Sequence, residues 1–338
     1  MKKIGLVLAG GGGKGAYHIG VWKALRETGL DRYVAAISGT SVGGLNAALF
    51  LQGDFENAVH IWENISTEKI LTPKYGLRQD MQQTVDYDAK KYHGMYVYIP
   101  RGLTEFIRNN LDMRIFDNSD INCYMTCSGK MKDGKALNSY MELYPQPDGT
   151  KAYKKYVDGK ATYFNMRAFS PDERETILLA TSSIPMLFPK EKIGGYDYRD
   201  GGLVDNLPVE PLYRLEKCEI IVVVHLSTNK QLLTSKKEDF PNAVILEIRP
   251  KQEQGGFFAG TLDFNAENAK RRIQQGYDDN IVMFRNIQET IAREKASETQ
   301  WGIGIWKEIL ARIKVAIENR EIEEMMQGIE HSRKLNRE

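Results

Sequence analysis

Gly39-Thr40-Ser41-Val42-Gly43 sets a serine between two glycines, after an apolar run and before another. A serine placed this way can act as the nucleophile of acyl transfer, taking up the substrate's acyl group as a transient ester. The spacing is that of a nucleophile elbow, a strand-to-helix turn so tight that side chains beside the serine would collide. Glycine is therefore needed at both flanks, and the hydroxyl is presented at the start of the helix. The bland alternative is a serine that only caps that helix.

A second group lies upstream, in Gly10-Gly11-Gly12-Gly13-Lys14-Gly15. Glycines fixed in a tight turn cost conformational entropy, so five of them imply that backbone must approach something closely. Their amides, with the positive end of the next helix, form an anion site. From this loop alone three uses stay open: a nucleotide phosphate cradle, an oxyanion hole, or a structural turn. Gly10, Gly12 and Gly15 meet the dinucleotide spacing, but that fingerprint also wants an acid at the end of the next strand. Here that strand ends in Ser38-Gly39-Thr40-Ser41, which disfavours a dinucleotide-dependent oxidoreductase. A P-loop fails as well, because Gly15 and not Ser or Thr follows Lys14.

A serine nucleophile needs a proton acceptor. Of the histidines His18, His60, His93, His225 and His331, only His225 ends a candidate strand, Ile220 to Val224, where α/β sheets often place functional groups. A satisfied structural histidine is the commoner outcome there. The competitor is Asp200, in Tyr198-Arg199-Asp200-Gly201-Gly202. Asp-Gly alone says little, since Asp133-Gly134, Asp148-Gly149 and Asp158-Gly159 read as plain turns.

The elements that would position these groups follow from periodicity. Lys2 to Leu8 and Tyr33 to Ser38 read as buried strands, and Ala16 to Thr28 as a helix ending before Gly29. Leu45 to Leu51 gives a second helix. Strand, helix, strand, helix predicts a parallel sheet covered by helices. The first two strands are expected to be neighbours, bringing the glycine amides beside Ser41. Ser170-Pro171-Asp172-Glu173 starts another helix, and Ile220 to Val224 and Val244 to Ile248 are further buried strands. Trp306, Ile309, Leu310, Ile313 and Ile317 mark an amphipathic helix near the C-terminus.

Taken together, the run from Ser182-Ser183-Ile184-Pro185 through Asp200-Gly201-Gly202-Leu203-Val204-Asp205-Asn206-Leu207-Pro208 resembles the patatin-like phospholipases. Their signatures are a glycine-rich loop with Lys or Arg, Gly-x-Ser-x-Gly, and Asp-Gly-Gly or Asp-Gly-Ala, and all three occur here in that order. Gln275-Gly276-Tyr277 is similar to the family's closing helix. The resemblance implies an α/β fold with a mainly parallel central sheet flanked by helices, a three-layer sandwich, and a helical C-terminal extension. Residues 1–285 would form the phospholipase domain, with the motifs in 4–208, and residues 286–338 the extension. It implies a Ser41–Asp200 dyad without histidine, metal or cofactor, and an oxyanion hole from Gly11, Gly12 and Gly13. Gly10, Lys14, Gly15, Gly39, Gly43, Gly201 and Gly202 support the motifs; the bland reading of Lys14 is a solvated side chain. The implied reaction is hydrolysis of fatty acyl esters of phospholipids or lysophospholipids. A non-catalytic lipid-binding protein on the same fold is the alternative. A dyad aspartate at its ordinary pKa would be a feeble base, so apolar surroundings are expected to raise it.

The 338 residues carry 46 basic and 45 acidic side chains, a net charge of +1, which argues against nucleic acid as a partner. Tyr33 to Gly53 is free of charge and about as long as a membrane span, but it is too polar and glycine-broken to insert. The N-terminus lacks a secretory signal's apolar stretch. Cys123, Cys127 and Cys218 are too few for a disulfide framework and read as core residues, pointing to the cytoplasm. Transient contact with a membrane surface is expected of the activity. Gly256-Phe257-Phe258-Ala259 and Met95-Tyr96-Val97-Tyr98-Ile99 are the candidates for it, although buried packing is the expectation for each. From Trp301 to Glu338 seven basic residues balance seven acidic ones, so that helix is expected to pack on the domain or in a dimer contact.

Overall fold

In the computed structural model, which describes residues 4–74, 97–130, 141–145, 151–155, 161–228 and 239–296, the two predicted strand–helix pairs form. They are β1 (Ile4–Leu8) with α1 (Ala16–Glu27), and β2 (Val34–Thr40) with α2 (Val42–Gln52). The chain continues through α3 (Phe55–Glu63), α4 (Arg101–Asn110), β3 (Asn122–Lys130) and β4 (Ala161–Asn165). Helix α5 (Pro171–Thr181) opens on the expected Ser170 start, where Ser170 and Glu173 form a reciprocal capping box. Then come β5 (Glu191–Ile193), β6 (Tyr196–Asp200), β7 (Ile220–Val224), β8 (Val244–Ile248) and α6 (Ala266–Ala296).

The main sheet runs β8-β7-β1-β2-β3-β6-β5, with β4 also on β3. Its four pairings from β8 to β3 are parallel, and those of β3 with β4 and β6, and of β6 with β5, are antiparallel. Residues of both parities are buried along β7 and nearly all of β2. Strands covered on both faces need helices on both, which gives the mostly parallel, helix-flanked sheet that was expected.

Register along β3 decides where the site falls. On one edge β2 pairs with Asn122 to Thr126, placing Thr40 opposite Thr126. On the other edge β4 pairs with Tyr124 to Ser128. Strand β6 pairs with Cys127 to Lys130 and must use the edge that β2 has left, placing Asp200 opposite Cys127. Two strands thus meet end to end along one edge, one ending just before Ser41 and the other at Asp200.

Helix α6 crosses α1 at two glycines. A Cβ on Gly20 would fall 1.9 Å from the Ile273 carbonyl oxygen, and one on Gly276 would fall 2.2 Å from that of Tyr17. The close crossing explains Gly276 in the predicted closing helix. That helix continues past residue 285, where the C-terminal extension was expected to begin. The three cysteines are buried, and none is in a disulfide. Among the described residues no helix is long and apolar enough to cross a membrane.

One expectation is overturned. Phe258 is 81% exposed and Phe257 47% exposed, so the pair does not pack inside. They lead a short π-helical turn, Phe257–Thr261, whose Gly260 is the buried side. In the second candidate cluster Ile99 is buried whereas Val97 is exposed. Met95, Tyr96, His93, His331, the three Asp-Gly turns and the Trp306 to Ile317 helix lie outside the described residues.

Candidate active site

Ser41 stands between β2 and α2 with φ 55° and ψ −127°. A positive φ is uncommon for a residue with a side chain and costs of order 1–3 kcal/mol, so the surroundings must hold it. They do so from both sides. A Cβ on Gly39 would come within 2.5 Å of the Gly43 backbone, and one on Gly43 within 2.1 Å of the Leu8 carbonyl oxygen. The Ser41 amide donates to Thr181 Oγ1 at 2.9 Å, and that hydroxyl donates to the Thr126 carbonyl at 2.6 Å. α5 is thereby tied to the elbow and to β3.

Asp200 reaches the same point from the other strand. Its amide donates to the Ser183 carbonyl at 3.0 Å. The segment beyond it is pinned to β2: Thr40 Oγ1 donates to the Asp205 carbonyl at 2.9 Å and Ser38 Oγ to that of Pro208 at 2.6 Å. The Asp200 carboxylate accepts from the Gly202 amide at 2.7 Å and lies beside the Ser41 side chain. Both side chains are buried. Burial pushes the Asp200 pKa up to about 6, although Gly202 and Ser41 pull the other way. A carboxylate with that value accepts a proton far better than one at 3.8 and is still ionised at neutral pH.

The glycine loop closes the third side. A Cβ on Gly10 would lie 3.1 Å from Ser41 Cβ. The Gly10 amide donates to Asn206 Oδ1 at 3.0 Å, and Asn206 Nδ2 donates back to the Gly10 carbonyl at 3.3 Å, which couples this loop to the Asp200 segment. Gly12–Gly15 forms a single 3₁₀ turn running into α1, with Gly12 at φ 55°. The first amides of a helical run have no partner within it, and Gly11, Gly12 and Gly13 stand in that position. Backbone packs directly over them: a Cβ on Gly12 would fall 1.9 Å from the Thr261 carbonyl oxygen, and one on Gly13 1.9 Å from that of Asp263. Lys14 is half-buried with its stem against Gly260, and burial lowers its pKa. Gly201 sits against the Thr126 carbonyl, and Gly15 against Val42 and Asn46.

Ser41 and Gly12 line one pocket, and the rest of its wall is almost wholly hydrocarbon. Leu45 comes from α2, Trp62 from α3, Leu103 and Phe106 from α4, Ile184 and Phe188 from the segment after α5, and Leu262 and Phe264 from the segment before α6. A pocket of this kind favours an apolar ligand.

Among the described residues, His225 and His18 stand apart from this arrangement. His225 is fully buried, with Nε2 3.1 Å from Glu247 Oε2 and Nδ1 3.1 Å from Arg249 Nη1. It follows β7, and β1 lies between that strand and β2. His18 is buried against Asn46, and desolvation drives its pKa down to about 3, so it is neutral. Thr181 and Asn206 are site residues that sequence reasoning missed. Their partners lie 140 and 196 positions away, and nothing in local spacing signals them.

A family model described as patatin-like phospholipase matches residues 6–213, more than half of the chain. Over 49 residues the chain is 51% identical to the patatin-like phospholipase domain-containing protein ZK370.4 of Caenorhabditis elegans, covering 14% of this chain and 4% of that protein. Over 49 residues it is also 51% identical to lysophospholipase NTE1 of Coccidioides immitis, covering 14% and 3%. The chain thus matches only a few per cent of the length of these curated relatives. Among solved structures, human GIVD cytosolic phospholipase A2 aligns with a TM-score of 0.48 at 10% identity, over 85% of this chain and 59% of that one.

Proposed function

Since this chain belongs to the patatin-like phospholipase family, we propose that it is a serine lipid acyl hydrolase acting on phospholipids or lysophospholipids. The observation that carries the reading is Ser41, with the buried Asp200 beside it, at one end of an apolar pocket. In this reading the Ser41 oxygen attacks the ester carbonyl while its proton passes to Asp200. The negative charge gathers on the former carbonyl oxygen, which faces the amides of Gly11, Gly12 and Gly13. Such donors typically lower a barrier of this kind by about 2.7–4 kcal/mol each. Collapse breaks the ester bond and Asp200 returns the proton to the departing alcohol. A water then gives its proton to Asp200 and attacks the acyl-enzyme; as the Ser41 ester bond breaks, Asp200 returns the proton to the Ser41 oxygen and the fatty acid leaves.

Asp200 suits both steps. The groups beside it, the Gly202 amide and the Ser41 hydroxyl, are neutral, so burial is left to raise its basicity. Access from a lipid surface is supported by exposed apolar side chains next to the site on three segments. Met186 lies between the pocket residues Ile184 and Phe188, Phe258 is three residues before Thr261, and Leu203 is three after Asp200. Three buried cysteines outside any disulfide, and this rim, support a cytoplasmic enzyme in transient contact with membranes.

The test is release of fatty acid from phospholipid and lysophospholipid vesicles by the wild type and by Ser41→Ala. Release by the wild type that falls to background in the variant is the expected result. Binding of lipid without release by either protein would favour a non-catalytic lipid binder instead.

A further inference from the structure

Arg272 is 1% exposed, yet its guanidinium meets five acceptors. Nη1 donates to the Gly13 carbonyl at 3.1 Å and to the Asp263 carbonyl at 3.0 Å. Nη2 donates to the carbonyls of Gln254 at 3.2 Å and Ala259 at 3.3 Å, and to Asp263 Oδ2 at 2.9 Å. One side chain of α6 therefore gathers the glycine loop and the segment packed over it. Guanidinium geometry is a rigid planar fork, which fixes acceptor directions in a way a lysine ammonium does not.

The bond to Gly13 passes direction along the loop. A trans peptide is planar, with its C=O and N–H pointing oppositely, and among the described residues no peptide is cis. Holding the Gly13 carbonyl toward Arg272 turns the Lys14 N–H the other way, where it donates to the Gly11 carbonyl at 3.3 Å. Holding the Gly11 carbonyl in turn fixes the Gly12 N–H, at the opposite end of that peptide unit. Gly12 lines the pocket beside Ser41. Two rigid peptide units in series thus connect a buried cation to an amide next to the nucleophile. The backbone of Thr261 and Asp263, bound to Arg272 through Asp263, presses on the outer side of Gly12 and Gly13 and keeps the loop from turning away.

We propose that Arg272 is a positioning residue that sets the orientation of the Gly12 amide for the charged oxygen of the tetrahedral intermediate; this rests on the hydrolase reading above. Arg272 lies well apart in sequence from the three motifs and touches neither Ser41 nor substrate. Its effect is on the charged intermediate, with ground-state binding in the apolar pocket left alone.

The test compares wild type, Arg272→Lys and Arg272→Met with a trifluoromethyl ketone carrying a fatty chain and with a non-hydrolysable ether lysophospholipid. The ketone carbonyl takes up the Ser41 oxygen, the hydroxyl proton passing to Asp200 and the negative charge settling on the former carbonyl oxygen. A misplaced donor in such sites costs about a hundredfold, so kcat for Arg272→Met should fall about 100-fold with KM nearly unchanged. Ketone affinity should fall in parallel while ether-lipid affinity stays within twofold, about the precision of such a comparison. Arg272→Lys, which retains the cation but not the fork, should lie between. Melting curves on both variants identify the folded fraction to which rates are normalised. Unchanged ketone affinity in folded variants, or equal losses for ketone and ether lipid, would overturn the positioning role alone. A wild type inert to the ketone would overturn the hydrolase reading and this role with it.

Discussion

His225 and Asp200 stand at the ends of two strands of one sheet, both buried and both candidates for the proton acceptor. Their neighbours separate them. His225 lies between Glu247 and Arg249, which also pair with each other. Asp200 lies between the neutral Gly202 amide and Ser41 hydroxyl, and burial raises its pKa to about 6. Burial among compensating charges makes a titratable group part of the scaffold. Burial among neutral groups, next to a serine held at positive φ and an apolar pocket, is what supports Asp200 as the proposed base.

Exchanging the two groups gives the largest expected contrast. Asp200→Asn should lower turnover of a soluble fatty acyl ester by about 100- to 10,000-fold, the usual range for loss of a general base. His225→Gln should leave turnover per folded molecule within about twofold, since it removes no group at the reacting atoms. A large loss in the histidine variant would break the comparison.

The pH profile sharpens it. Asp200 accepts a proton only when ionised, so kcat/KM should rise with pH, with a midpoint near 6, and then level off. His225→Gln should retain that profile. Asp200→Asn should show a smaller effect of opposite sense on stability. The folded carboxyl titrates at about 6 against an ordinary 3.8, so the unfolded chain gives up this proton first and ionisation disfavours the fold. The penalty is absent below about pH 4, grows up to about pH 6 and is full above it. The asparagine variant should therefore be more stable at pH 7 to 8, by at most about 3 kcal/mol, and the gain should vanish in acid. Denaturant titrations at the two pH values measure this.

The smallest effects belong to the rim. Serine at both Phe257 and Phe258 should weaken liposome flotation by about tenfold or more, given the apolar area lost, with little change on a soluble ester. With a net charge of +1, wild-type flotation should change little between low and physiological salt.

Much of the site could be read in the sequence because steric necessity leaves local marks. Gly39 and Gly43 flank Ser41 since any Cβ would strike backbone, and the glycines of the loop answer to the same constraint. The sheet was equally legible, because uncharged β-branched runs such as Ile220 to Val224 form strands covered on both faces. What no motif announced are bonds between distant positions: Thr181 to the elbow, Asn206 to Gly10 and Arg272 to Gly13. The pocket is drawn from several helices and loops and has no linear signature. Phe258 was expected inside on the general tendency of aromatics to be buried, but its π-helical turn buries Gly260 against the glycine loop and leaves the ring outside.

The central claim is that Ser41 is the nucleophile and Asp200 its base. Labelling the intact protein with a fluorophosphonate and locating the adduct by peptide mass spectrometry tests this most directly. The account predicts a single phosphonyl adduct on Ser41, absent from Ser41→Ala and formed at least about 100 times more slowly in Asp200→Asn. An adduct on another residue, or undiminished labelling of Ser41 in the Asp200→Asn protein, would contradict it.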